Sequence, residues 1–269
     1  MENLYMSRFI AAMDHSGGST GGVLKRYGQA YTEEDKMDKV HDMRLRMVSS
    51  PDFTNESIWA AILYRDTVDR GMVPILKQKG IQPYLKIDSG CADDGTLKDF
   101  DTNEILTYAV AKGCVGTKMR SIVKTQEIVD SVLDQQFELA KEIYGWELMP
   151  IVEPEVPIEH EHKQGLEIAL LHGLKKRLDE FNGKCILKLT LPEQPNMYQS
   201  FIEHSSVHAV VGLSGGYDTQ EACRRLAQNK NMTASFSRAL SEGLFHHQTD
   251  VEFDMTMTMN IKDIVEAST

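Results

Sequence analysis

Closely spaced cysteines are missing from this chain. Cys91, Cys114, Cys185 and Cys223 lie far apart, with no Cys-x-x-Cys unit, which excludes a zinc knuckle or a dithiol redox motif and predicts four reduced, mostly buried thiols. No stretch approaches the ~18 consecutive apolar residues of a membrane span. The start, Met1-Glu-Asn-Leu-Tyr-Met-Ser-Arg-Phe-Ile10, lacks a basic segment followed by a long apolar one, so the expectation is a cytoplasmic protein with no membrane partner. Positive charge is short as well: 29 Lys and Arg against 40 Asp and Glu give a formal charge of −11. That balance argues against a nucleic-acid binder, and any anionic ligand has to be gripped by local lysines and arginines. The composition, 41% hydrophobic and 26% charged, is that of a globular chain rather than a disordered one.

What the sequence does contain is eight short apolar runs bounded by Gly, Pro or polar clusters: Phe9 to Asp14, Trp59 to Tyr64, Pro83 to Asp88, Val115 to Arg120, Leu148 to Val156, Cys185 to Leu191, Ala209 to Leu213 and Thr233 to Ser237. Between them lie segments with helical spacing, among them Glu33 to Val48, Thr125 to Tyr144, Lys163 to Glu180 and Thr219 to Asn229. Strand and helix alternate, which predicts a parallel sheet with crossover helices. Polar residues close seven of the eight runs. A doubly wound sheet would gather its ligand at one switch point, whereas this distribution suits a closed barrel with its site along one rim. The expectation is a single (β/α)8 TIM barrel over residues 1–269, a length near the ~250 typical of that fold, with a C-terminal tail from about Gly243. Asp66 to Ile81 and the tail are assigned no element.

The inward-facing residues carry the chemistry. Strand side chains alternate with a period of two, so Lys118 and Arg120 share a face, as do Glu153 and Glu155. Burying either pair alone is costly, and mutual neutralisation in one cluster is the least costly solution. Lys188 follows one strand further on, and an ammonium at Lys118 would favour its free, nucleophilic amine, able to attack a ketone. Iminium formation then requires an acid to expel water, for which Glu153 is the candidate, with Glu155 orienting or relaying. Asp14, closing Phe9-Ile-Ala-Ala-Met-Asp14, supplies a carboxylate that could take a hydroxyl proton when a C–C bond breaks.

Phosphate has two candidate cradles. Ser214-Gly215-Gly216 ends the seventh run with small residues whose N–H groups can approach an anion, and Arg238 offers a guanidinium after the eighth. His15-Ser16-Gly17-Gly18-Ser19-Thr20 precedes a helical segment, and Lys86 in Tyr84-Leu-Lys-Ile-Asp88 can reach a second anion. Two cradles imply a doubly phosphorylated substrate. Taken singly, each feature has a bland reading: a strand lysine reaching solvent, a strand running into a loop, a tight turn. The joint placement at one end of seven strands favours a site. His160-Glu-His162 and His246-His247 read as solvated loop histidines rather than metal ligands, and no metal or cofactor is expected. Met255, Met257 and Met259 read as fillers of apolar gaps.

These motifs together resemble class I fructose-1,6-bisphosphate aldolase, particularly its shorter bacterial-type branch. The likeness runs from about Phe9 to Leu240 and rests on Ala-Ala-Met-Asp14-His-Ser-Gly-Gly-Ser19-Thr, Tyr-Leu-Lys86-Ile-Asp88, Gly-Thr-Lys118-Met-Arg120-Ser, Glu153-Pro-Glu155, Ile-Leu-Lys188-Leu, Leu-Ser214-Gly215-Gly216 and Ser-Phe-Ser-Arg238-Ala, in the family's order. The resemblance implies metal-independent, reversible cleavage of fructose 1,6-bisphosphate to dihydroxyacetone phosphate and glyceraldehyde 3-phosphate. It implies Lys188 as the Schiff-base lysine, Glu153 as the acid/base of iminium formation, Asp14 on the C4 hydroxyl, Lys118 as charge stabiliser and Glu155 as accessory carboxylate. Ser214, Gly215 and Arg238 would hold the C1 phosphate, and Ser16, Ser19, Lys86 and Arg120 would lie near the C6 phosphate. Two features depart from the wider family: no tyrosine follows Tyr217, where many members carry a C-terminal one that folds over the site, and Asp69 to Gly80 is shorter. The rival readings are another Schiff-base or transaldolase-like enzyme on a different sugar phosphate, and a weakened homologue acting as a scaffold. A homo-oligomer is left open.

Overall fold

In the computed structural model, which describes residues 7–16 and 18–268, each apolar run becomes a strand. They are β1 (Phe9–Met13), β2 (Ile58–Leu63), β3 (Gln82–Lys86), β4 (Gly116–Ile122), β5 (Met149–Glu155), β6 (Cys185–Thr190), β7 (Val207–Leu213) and β8 (Thr233–Phe236). Every neighbouring pair is parallel, and β8 returns to pair with β1, so the sheet closes in sequence order. Around it run α1 (Gly18–Arg26), α2 (Lys36–Ser49), α3 (Arg65–Asp69), α4 (Met72–Gln78), α5 (Thr102–Ala111), α6 (Val129–Gly145), α7 (Lys163–Glu180), α8 (Gln199–Ile202), α9 (Thr219–Leu226), α10 (Arg238–Ser241) and α11 (Asp250–Ala267). Among the described residues no helix is long and apolar enough to cross a membrane.

The strands are buried on both faces, and the period of two divides their side chains between two cores. One face of each strand packs against the helices: Phe9, Ala11 and Met13 on β1, Ala61 and Leu63 on β2, Val152 on β5, Leu187 and Leu189 on β6. The other fills the barrel with Ile10, Ala12, Ala60, Ile62, Tyr84, Ile151, Ile186 and Val211. Trp59 meets Tyr84 and His208 edge-on there, at centroid distances of 6.3 and 6.5 Å. Gly116 makes room for this packing: a Cβ on it would stand 2.3 Å from both the Tyr84 ring and the Met149 carbonyl oxygen.

The segments without an assigned element prove helical. Gly71, at φ +88°, separates α3 from α4, and the tail forms α11, opened by a reciprocal capping box between Thr249 and Glu252. The methionine reading needs correction. Met257 is buried, but Met255 and Met259 are 63% and 64% exposed, because residues two apart on a helix cannot share a face. Cys114 and Cys185 are buried and Cys91 and Cys223 half-buried, all four free.

Candidate active site

Toward the C-terminal ends of the strands the inward face changes from apolar to acidic or basic side chains within two residues. Ala12 gives way to Asp14, Tyr84 to Lys86, Ile151 to Glu153 and Ile186 to Lys188. The parallel registers set Lys86 beside Lys118 and Arg120 beside Glu153. These groups line a cavity of about 860 Å³ together with Ser16, Ser19, Glu155, Ser214, Gly215 and Arg238. All twelve residues singled out from the sequence therefore share one cavity. Gly17, in the first glycine-rich turn, lies outside the described residues.

A chain of alternating charge crosses the cavity floor. Lys188 Nζ lies 3.2 Å from Glu153 Oε1, Glu153 Oε2 lies 3.1 Å from Lys118 Nζ, and Lys118 Nζ lies 2.5 Å from Asp14 Oδ2. Two ammoniums and two carboxylates balance, which makes their burial tolerable. Glu153 stands between the two amines, within hydrogen-bond distance of both. Beside this chain, Arg120 donates to Glu155 Oε2 over 3.0 Å.

The two outer carboxylates differ. Burial alone would raise the proton affinity of Asp14, but the ammoniums of Lys118 and Lys188 overcome it and hold the group far below the usual carboxylate range. Burial raises the pKa of Glu155, and although Arg120 opposes this, the neighbouring Glu153 adds to it. Lys118 is the reverse case: burial disfavours its charge, and Asp14 and Glu153 more than restore it. Asp14 thus rests as an anion and Lys118 as a cation, while burial favours the protonated form of Glu155.

Several supporting residues escaped the sequence reading. The buried Gln136 amide on α6 donates to Ser121 Oγ at 3.0 Å and to the Glu153 carbonyl at 3.3 Å, and its oxygen accepts the Glu153 N–H at 3.3 Å. Asp88 accepts from Lys86 Nζ at 2.9 Å and from the Arg120 N–H at 3.2 Å, so Lys86 meets an anion only in competition with Asp88. Arg44, buried on α2, donates to the His15 carbonyl at 2.7 Å and to Thr67 at 2.6 Å. Ser237 Oγ stands 3.3 Å from Nδ1 and 3.2 Å from Nε2 of His15. Burial, with Arg44 and Arg26 nearby, lowers the His15 pKa to about 4, against the pull of Asp14.

Both cradles lie on the cavity wall. In the first glycine-rich turn Ser19 Oγ donates to the Ser16 carbonyl at 2.9 Å and accepts its N–H at 3.2 Å. Gly215 and Gly216 have φ of +60° and +124°, which turns the chain after β7 in a way that side-chain-bearing residues rarely follow. A Cβ on Gly215 would also meet Ile158 at 2.7 Å. Arg238 is exposed and donates to the Gly216 carbonyl at 2.8 Å. Arg26, from the last turn of α1, lines the same wall, close enough for Arg238 to lower its pKa after the effect of burial. Its helix-end position in the sequence gave no hint of this.

Fold and charge pattern define a (β/α)8-barrel enzyme with a buried cluster of lysines and carboxylates on the floor of one cavity. The comparisons agree. The chain is 44% identical to the class 1 fructose-bisphosphate aldolase of Synechocystis sp., an alignment covering 97% of this chain and 93% of that protein. It belongs to the class 1 fructose-bisphosphate aldolase family, and is a lyase. No profile of a known protein family matches it. Among solved structures, the fructose-bisphosphate aldolase of Plasmodium falciparum, in complex with TRAP and an inhibitor, superposes with a TM-score of 0.79 at 19% identity, over 98% of this chain and 90% of that one. An archaeal fructose 1,6-bisphosphate aldolase gives 0.60 at 10%, over 96% and 94%. A Schiff-base-forming fructose-1,6-bisphosphate aldolase gives 0.56 at 10%, over 97% and 94%. At these identities the superpositions speak for the barrel.

Proposed function

We propose that the chain cleaves fructose 1,6-bisphosphate reversibly to dihydroxyacetone phosphate and glyceraldehyde 3-phosphate through a Schiff base on Lys188. The observation that carries this is the run Lys188–Glu153–Lys118–Asp14 on the floor of one cavity whose walls hold both anion cradles. Glu153 takes the proton released by Lys188, whose amine attacks the C2 ketone. The carbinolamine then loses water, its hydroxyl leaving with a proton returned by Glu153, with Glu155 as relay. Lys118 steadies the negative charge of its neighbours as the iminium forms. With that electron sink in place, Asp14 receives the proton of the C4 hydroxyl, the C3–C4 bond breaks, and its electron pair passes to the iminium to give an enamine. Protonation at C3 and attack by water then release dihydroxyacetone phosphate and restore the amine.

Ser214, Gly215 and Arg238 are assigned to the C1 phosphate, and Ser16, Ser19, Lys86 and Arg120 to the C6 phosphate, with Arg26 added at the rim. Two cradles favour the bisphosphate over a ketose with one phosphate. The test is turnover on fructose 1,6-bisphosphate and on fructose 1-phosphate, with and without a chelator. The bisphosphate is expected to be the better substrate and its cleavage to withstand the chelator. Equal kcat/KM on both sugars would remove the second cradle, and activity lost to the chelator and restored by zinc would remove the Schiff base.

A further inference from the structure

An ionic clamp lies just outside the cavity, where β6 and β7 leave the barrel. Lys163 and Glu167, one turn apart on α7, have side chains only 5% and 0% exposed and form an ion pair. Lys163 Nζ also donates to the Leu191 carbonyl at 2.9 Å and pairs with Glu193 Oε1 at 3.0 Å, so its three N–H groups meet three acceptors. Glu167 Oε2 accepts the Glu193 N–H at 3.0 Å. The same Glu193 Oε1 takes Arg225 Nη1 at 3.1 Å and the Tyr217 hydroxyl at 3.4 Å. The Arg225 guanidinium lies over the Tyr217 ring, 4.4 Å from its centroid.

The clamp ties two strand exits together. Leu191 and Glu193 follow the strand that carries Lys188, and Tyr217 follows Gly215 and Gly216, its N–H closing the turn onto the Ser214 carbonyl at 3.0 Å. None of Lys163, Glu167, Glu193, Tyr217 and Arg225 is among the residues that line the cavity. A buried ion pair contributes little net stability and serves best to fix a register. We infer that Glu193 is a positioning residue, which holds the anion-binding turn after β7 in register with Lys188 and so sets affinity for the phosphate next to the ketone. This rests on the proposed Schiff-base reading.

The experiment compares borohydride trapping of dihydroxyacetone phosphate and of unphosphorylated dihydroxyacetone by the native protein and by Glu193→Gln, which keeps the shape and removes the charge. The half-saturating concentration of the phosphate is expected to rise about tenfold, the scale of a lost charge-assisted hydrogen bond. Trapping of dihydroxyacetone should stay within about twofold of native, because the amine chemistry is untouched. Tyr217→Phe and Arg225→Met, which each remove one strand of the clamp, should show the same split, smaller, and they decide the matter if Glu193→Gln does not fold. An unchanged concentration dependence, or equal losses with both ketones, overturns the inference. Native protein that traps neither ketone would refute the Schiff base itself and take the inference with it.

Discussion

At Asp14 and His15 two adjacent side chains are driven in the same direction for different reasons. Asp14 is ionised because two ammoniums outweigh burial, and its contribution to stability is present above its ordinary pKa of 3.8 and lost as pH falls below it. His15 is neutral because burial and nearby cations outweigh Asp14, so the fold loses stability as pH drops from 6.5 toward about 4 and the imidazole has to take up a proton. His15→Gln should therefore flatten the stability curve over that range, retaining roughly 3 kcal/mol more than native near pH 4 relative to neutral pH. Denaturant unfolding at a series of pH values measures it, and parallel curves for the two proteins would contradict it. Asp14→Asn should lower cleavage by about a hundredfold or more while dihydroxyacetone phosphate is still trapped, since the carboxylate acts after the iminium has formed. Loss of trapping in that variant would move Asp14 to an earlier step.

Between elements, the site depends on helices that the catalytic motifs do not mention. Gln136 on α6 holds β4 and β5 at the level of Glu153. Gln136→Leu would leave the Glu153 N–H without this acceptor, and a loss of about 1–3 kcal/mol in denaturant unfolding is expected, with a fall in kcat larger than any rise in KM. On α11, Thr249→Ala removes one half of the capping box and should cost about 1 kcal/mol without changing turnover. The two kinds of element were unequally legible in the sequence. The eight strands stood out because each is a short apolar run between breakers, and observed ends lie within two residues of those expected. Helix α11 did not, because its buried Phe253, Met257, Ile261 and Ile264 interleave with the exposed Val251, Met255 and Met259, which blurs the apolar stripe. Gln136, Arg26 and Arg44 escaped for a related reason: each reaches the site from a helix, and a helical polar residue looks alike whether it faces solvent or a strand end.

Across the whole molecule, the barrel turns a local alternation into a global assembly. Side-chain parity decides which residues face inward, closure brings the inward ends together, and residues as distant in sequence as Asp14 and Arg238 come to line one cavity. Charge is arranged at the same scale: in a chain of net charge −11, the cavity lining sets Arg26, Arg65, Lys86, Lys118, Arg120, Lys188 and Arg238 against Asp14, Asp88, Asp101, Glu104, Glu153 and Glu155. Because exposed cations such as Arg238 are assigned to the substrate phosphates, added salt should raise KM for the bisphosphate more than for a monophosphate, with little change in kcat. Steady-state kinetics over a range of ionic strength tests this, and salt-independent KM values would show that the cradles act by shape alone. The most direct test of the account is covalent: incubate the protein with dihydroxyacetone phosphate, reduce with borohydride, digest, and map the adduct by mass spectrometry. A reduced adduct on Lys188, absent from a folded Lys188→Met variant, is the predicted result; an adduct on another lysine, or cleavage that survives in Lys188→Met, would contradict it.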